Sequence, residues 1–277
     1  MTLSTRGFGL DAKYIQRAMA AWDVPGLSIA VVKDGQTVYS QGFGVLKKGT
    51  KAPVNRDSLF TIGSCTKAFT TVAISMLVQD GKLSWDDPVI KYIPDFQLSD
   101  AKITAELTLK DMVSHQSGIE DGAITNIPAK SYKKACKHLA GIKPVRAHRG
   151  GFSYNNTMFA ILGKVVEKVS GMSWSTFLQT RILEPLAMDN SFPTRKACEG
   201  HPNQTSAHIK PAGKRTVKVM DVPNLDFLAS SAGLQSNVTD MAAWLKFQLG
   251  HIGHGKLCAQ SELEAMHSEQ LQVEPNP

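Results

Sequence analysis

The apolar positions along the chain change period several times. Over residues 10–24, Ile15, Met19 and Trp22 recur at helical spacing and predict an amphipathic helix. The stretch "GLSIAVVKDGQTVYSQGFGVL" then alternates, its two β-branched runs flanking Asp34-Gly35, a strong hairpin signal. Residues 64–80 return to a helical period, with Gly81 placed to cap the C-terminus. Residues 108–114, 131–139, 156–169 and 174–183 read as further helices, mostly separated by Gly- or Pro-marked loops. Residues 190–226 read as a Pro-punctuated loop with one short strand around 216–219. "SNVTDMAAWLKFQLG" predicts a helix begun at Asn237 or Thr239 and ended at Gly250, and residues 261–269 a last helix before the polar tail "VEPNP". Strands early, helices in the middle and few strands late make an α+β chain. Two adjacent strands do not form a stable sheet alone, so the hairpin's further strands are missing from this chain or not recognisable.

Composition narrows the classes. A chain of 277 residues suffices for one large domain or two lobes, and 42% apolar with 20% charged residues is a folded globular profile. The longest nearly apolar run, residues 72–78, is too short to cross a bilayer. The first ten residues lack the apolar core of a signal peptide, so localisation stays open: periplasmic or secreted if a signal has been removed, otherwise cytoplasmic. The net charge of +7 is dispersed, and its densest stretch, "KSYKKACKHLAGIK", reads as one solvated helix face. No nucleic-acid module accompanies it, so nucleic acid is not an expected partner; a slight preference for anionic substrates is. Four cysteines without a C-x-x-C pair form neither a zinc nor a disulfide framework. Free, mostly buried thiols are expected, with Cys65 a small apolar residue beside Ser64. No metal and no organic cofactor is implied.

The candidate chemistry begins with Ser64 and Lys67. Three residues apart at a helix start, they share one face, so the amine can reach the hydroxyl. A serine hydroxyl needs a base, and a lysine serves when burial or a neighbouring cation lowers its pKa. The helix N-terminus would favour a developing oxyanion. The competing reading is a capping serine followed by an exposed lysine. Tyr154-Asn155-Asn156 precedes a second helix: Tyr154 could present its phenol to Ser64, and Asn156 could bind a substrate carbonyl or hold Lys67. Here the competing reading is a helix start with Asn155 or Asn156 as cap and Tyr154 as packing.

S-x-x-K at a helix start, followed 90 residues later by Y-x-N before another helix, resembles the penicillin-recognising serine hydrolases. The class C β-lactamase-like branch, with its esterases and D-amino-acid peptidases, is the nearer match, because the second motif is Y-x-N rather than S-D-N. "FTIGSCTKAFT", "DGKLSWDDPVIKYIPDF", "LTLKDMVSHQSGI", "YNNTMFAILGKVVEKVSG" and "SSAGLQSNVTDMAAWLKF" follow that branch in order, so the resemblance covers residues 24–270. It implies a β-lactamase-like (DD-peptidase/transpeptidase-like) fold, an antiparallel sheet flanked by helices plus an all-helical lobe. One domain, 1–277, is expected, with residues 10–60 and the C-terminal part forming the α/β lobe and about 83–200 the helical lobe. It implies Ser64 as the acylated nucleophile, Lys67 and Tyr154 as the proton-transfer pair, Asn156 as a substrate-contacting amide, and His115 as support for the cleft.

The family's third element, K-T-G or H-x-G on a sheet-edge strand that supplies the second oxyanion donor, is not visible, so the C-terminal strands are expected to be missing. "HIGHGK", containing His251 and His254, lies directly after a helix and reads as a loop rather than that motif, a metal pair or a nucleotide signature. No G-x-S-x-G elbow surrounds Ser64, which removes a lipase-type reading. Two functions are expected: a serine hydrolase acting through an acyl-enzyme on a β-lactam, D-amino-acid peptide or small ester, or a weak or inactive relative that binds without turnover. An active form would take the missing strand from elsewhere, for example a partner chain.

Overall fold

The computed structural model describes residues 11–122, 131–214, 216–221, 226–253, 255 and 257–272. The expectations for the first ten residues, Lys130, His254, Lys256 and the "VEPNP" tail lie outside them. Helix α1 (Ala12–Ala21) starts at Asp11, whose side chain accepts the Lys13 N–H at 3.1 Å. It lies along the hairpin of β1 (Gly26–Lys33) and β2 (Gln36–Gly44), with Ile15 and Met19 packed on Phe43, Leu27, Ile29 and Tyr39. The turn has positive φ at both Asp34 (49°) and Gly35 (72°), the geometry that matches the twist of paired strands. A bulge between Val31 and Val32 shifts the register, so Val31 opposes Tyr39 and Val32 opposes Thr37. Among the described residues β1 and β2 pair only with each other.

Strand β3 (Phe60–Thr61) leads through a 3₁₀ turn, Gly63–Cys65, into α2 (Thr66–Gln79). Helix α2 is buried on nearly every side, its polar Thr66, Lys67, Thr70 and Ser75 as well as its apolar residues. Around it lie α3 (Ala101–Glu106), α4 (Leu109–Val113), α5 (Tyr132–Ala140), α6 (Thr157–Ser170) and α7 (Trp174–Leu178), which share one large apolar core with it. The helix expected over 174–183 changes pitch at Gln179 into a π turn, then a 3₁₀ turn at Glu184–Leu186 containing Pro185, which removes a helical donor. The expected strand near 216–219 is real but short: β4 (His208–Ile209) pairs with β5 (Lys218–Val219).

The chain then returns to α2. Helix α8 (Ala229–Ala232) runs into β6 (Gln235–Ser236), which pairs with β3. Helix α9 (Val238–Gln248) packs on the hairpin and against α2, where Trp244 stacks on Phe69 with ring centroids 3.6 Å apart. Helix α10 (Gln260–His267) is fastened by Glu262, which accepts from Ser75 Oγ (2.9 Å) on α2 and from Trp85 Nε1 (3.0 Å). After α9 the described residues hold α10 and no extended strand. No helix among the described residues is long and apolar enough to cross a membrane.

A buried polar frame braces the loop before α6. Thr108 and Asp111 form a reciprocal capping box on α4, and Asp111 also receives Arg149 through two bonds of 2.9 Å and His148 at 3.0 Å. Burial raises the Asp111 pKa, but the Arg149, Thr108 and His148 bonds outweigh it and hold the carboxyl at about 2. His115 sits nearby with φ 58°, its backbone carbonyl accepting the Ser153 N–H and its Nδ1 accepting the Asn155 N–H at 3.2 Å. Burial, then the charge of Lys67, pushes the imidazole pKa down to about 4.

Two outcomes follow from this packing. Phe69→Ala removes a fully buried ring from the centre of the core and should cost about 3–5 kcal/mol in chemical denaturation, whereas Leu249→Ala, at a largely exposed site, should cost under about 0.5 kcal/mol. The second outcome concerns acid. His115 has a folded pKa below its unfolded value, so its contribution is complete above about pH 6.5 and is lost as pH falls toward 4. Between those limits the wild type should lose roughly 3 kcal/mol more stability than His115→Gln, measured by denaturation at each pH.

Candidate active site

Ser64 lies in the turn that opens α2, next to Gly63 with φ 54°. Two hydrogen bonds fix that turn. Thr66 Oγ1 donates to the Gly63 carbonyl at 2.6 Å and accepts the Leu234 N–H at 3.2 Å, so the start of α2 is pinned to the strand after α8. The Ser64 side chain is exposed and makes no capping bond to the helix, and neither does that of Cys65. Cys65, expected to be buried, is exposed, because Thr66 and Lys67 occupy the inward side of the turn. All four cysteines are free.

Lys67, by contrast, is only 7% exposed. Its Nζ has three acceptors: Ser64 Oγ at 3.2 Å, Asn156 Oδ1 at 3.0 Å and the Ser231 carbonyl at 3.1 Å. An ammonium has three protons, so this set satisfies it fully. The rings of Tyr154 and Phe159 stand 4.9 and 5.3 Å from the same nitrogen. Burial lowers the Lys67 pKa; the hydrogen bond and charge of Tyr154, then the charge of Asp121, oppose that shift without reversing it.

Tyr154 closes the cluster from the other side, its hydroxyl donating to Ser64 Oγ at 2.7 Å. Its ring packs on His115, with centroids 4.6 Å apart, and Phe152 flanks both. His115 thus acts by packing and through the Asn155 N–H. Asn155 takes the local capping role, its Oδ1 accepting the Met158 N–H at 2.9 Å. Asn156 makes no such bond. Its Oδ1 accepts from Lys67 and from Ser231 Oγ (3.3 Å), and its Nδ2 donates to the Gly122 carbonyl (3.1 Å). At 3% exposure, the amide is engaged on both sides inside the protein.

The four residues singled out in the sequence therefore meet at one point, with Ser64 facing solvent and Lys67 behind it. Two residues of the site were not singled out beforehand: Ser231, whose carbonyl is the third acceptor, and Asp121, whose carboxylate accepts the backbone N–H groups of Asn156 and Thr157. "SSAGLQS" did carry Ser231 as part of a matching stretch; Asp121 had no periodic or motif signal. His251 belongs elsewhere, its ring lying over the hairpin turn, where a Cβ on Gly35 would stand 3.1 Å from it. Among the described residues no group of three or more His, Cys, Asp or Glu side chains could hold a metal ion.

The unguisins hydrolase ungD of Aspergillus violaceofuscus is 26% identical over 249 residues, 83% of this chain and 43% of that protein. The octameric penicillin-binding protein homologue from Pyrococcus abyssi superposes with a TM-score of 0.83 at 29% identity, over 94% of this chain and 60% of that one. A class C β-lactamase from Rhodobacter sphaeroides shares the fold, with a TM-score of 0.74 at 22% identity, over 91% of this chain and 68% of that one. The chain spans about half the length of the curated relatives it matches. The expected α+β, β-lactamase-like fold is the one observed, with helices around small antiparallel sheets. Since the sequence model of that family matches residues 12–277, the chain belongs to the Beta-lactamase family.

Proposed function

We propose that this protein is a serine hydrolase that forms an acyl-enzyme at Ser64 on an ester or amide: a β-lactam, a D-amino-acid peptide or a small ester. The observation that carries this reading is an exposed serine hydroxyl with a tyrosine hydroxyl at 2.7 Å and a buried lysine amine at 3.2 Å. The pair acts as base once it has lost one proton, which burial of Lys67 favours: Ser64 Oγ attacks the carbonyl carbon as its own proton passes to the neutral Lys67 amine or, through the phenol, to the Tyr154–Lys67 pair. The same pair returns that proton to the departing amine or alcohol, leaving an ester on Ser64. Water then attacks the ester with the pair again as base, and the acid departs. The Ser64 N–H, at the positive end of α2, is the first donor for the tetrahedral oxyanion. Asn156 serves in this scheme as the acceptor that holds Lys67, since both ends of its amide are already occupied. The hydrolase name of a relative supports hydrolysis, and the name of a structural neighbour, a penicillin-binding protein homologue, supports a β-lactam among the candidate ligands.

One observation favours a second reading. Among the described residues the hairpin has no third strand, so a second oxyanion donor from a sheet edge has no place in the described pairing. Losing one such donor costs about 10²–10³-fold in rate. On this reading the cleft binds a ligand and turns it over slowly or not at all.

Intact-mass and peptide mapping after incubation with a fluorophosphonate or a fluorescent penicillin separate the two. The hydrolase reading expects one adduct per chain on Ser64, none in Ser64→Ala, and labelling slowed by about 10² or more in Lys67→Ala. A folded protein that takes no adduct from either probe contradicts it and leaves the binding reading.

A further inference from the structure

Asn156 can serve Lys67 only if its amide sits one way round. Its Oδ1 must face the amine, and its Nδ2 must face away. Asp121 supplies the reason that it does. This carboxylate, 7% exposed, accepts the Asn156 N–H at 2.9 and 3.0 Å through its two oxygens and the Thr157 N–H at 2.6 Å. It thereby caps the 14-residue helix α6 from a different loop. The Asn156 Nδ2 points to the same side, 3.4 Å from Asp121 Oδ1 and 3.1 Å from the neighbouring Gly122 carbonyl. Turned over, the amide would set its oxygen against a carboxylate and a carbonyl, and its NH₂ against the Lys67 ammonium. The contacts with Lys67, Asp121 and Gly122 would all become repulsive, and only the Ser231 hydroxyl, which can donate or accept, could adapt.

We propose that Asp121 is a positioning residue for the proton-transfer pair: it locks the Asn156 amide so that Oδ1 holds Lys67 beside Ser64, and its charge reaches Lys67 through that amide. The catalytic meaning rests on the hydrolase reading; the positioning itself does not. Asp121 touches neither Ser64 nor Tyr154, so its influence runs through Asn156 and through space. Its negative charge favours the ammonium form of Lys67 and so opposes burial, which favours the neutral amine. Loss of that charge should make Lys67 easier to deprotonate.

The test is the titration of Lys67, followed by NMR on protein carrying ¹³C-labelled lysine, with the signal assigned by its absence in Lys67→Arg. Asp121→Asn should lower the Lys67 midpoint by about 0.5 pH unit or more, and Asp121→Glu should restore most of the wild-type value. A folded Asp121→Asn protein with an unchanged midpoint overturns the proposal, because a merely structural carboxylate would alter stability and leave the midpoint alone. Should Asp121→Asn fail to fold, the wild type still decides. The Asn156 side-chain NH₂, held between Asp121 and the Gly122 carbonyl, should exchange slowly with solvent; free exchange overturns it. None of these readouts requires turnover. A lowered midpoint in a protein that takes no label at Ser64 defeats the hydrolase reading alone, and labelling with an unchanged midpoint defeats this one alone.

Discussion

The ammonium of Lys67 has to be satisfied where little water reaches it, and the rest of the site is arranged around that need. An unpaired buried charge costs several kcal/mol, so removing any of its acceptors carries a penalty. Those acceptors come from three places in the chain: the turn that opens α2, the residue just before α6 and the middle of α8. The three segments must therefore meet at one nitrogen. Their meeting leaves Ser64 on the outer side of the amine, in solvent, with the Tyr154 hydroxyl beside it. Burial of the cation and exposure of the nucleophile are two sides of one arrangement.

Such a meeting point needs a rigid frame, and polar links between the helices supply it. Trp174 Nε1 donates to Thr70 Oγ1, which donates to the Ser230 carbonyl, and Ser230 Oγ donates to the Phe159 carbonyl. These bonds tie α2, α6, α7 and α8 together directly behind Lys67. Gly163 lets α6 and α8 approach closely, since a Cβ there would lie 2.4 Å from Ser230 Oγ. On the opposite side, Asp111 with Arg149 and His148 fixes the loop that delivers Tyr154. Each link also satisfies a buried polar group.

Much of this was legible from residue types and spacing. Asp34-Gly35 announced the hairpin because both positions need positive φ, and Ser64 with Lys67 announced a shared face because the helical period fixes it. The reading of Ser64 as a simple cap fails on an observation that spacing cannot supply: its hydroxyl accepts from Lys67 and Tyr154 rather than from the helix. Asn155 and Asn156, alternatives as a cap, divide the work, one capping and the other holding the amine. What stayed hidden has no period. Strands β3 and β6 are two residues each, too short for an alternating pattern, and α3 spans less than two turns. Asp121 and Ser231 act through contacts with residues far along the chain, and Cys65 is exposed only because its neighbours take the inner side of the turn.

The central claim is that the fold keeps a lysine amine buried, satisfied and easier to deprotonate than usual, next to an exposed serine. The most direct measurement is the absolute titration midpoint of Lys67 in the wild-type protein, read from its side-chain NMR signal. The account predicts a midpoint clearly below 10.5, the ordinary lysine value. A midpoint at or above that value would mean that the surrounding acceptors hold the proton on Lys67, and it would contradict the account.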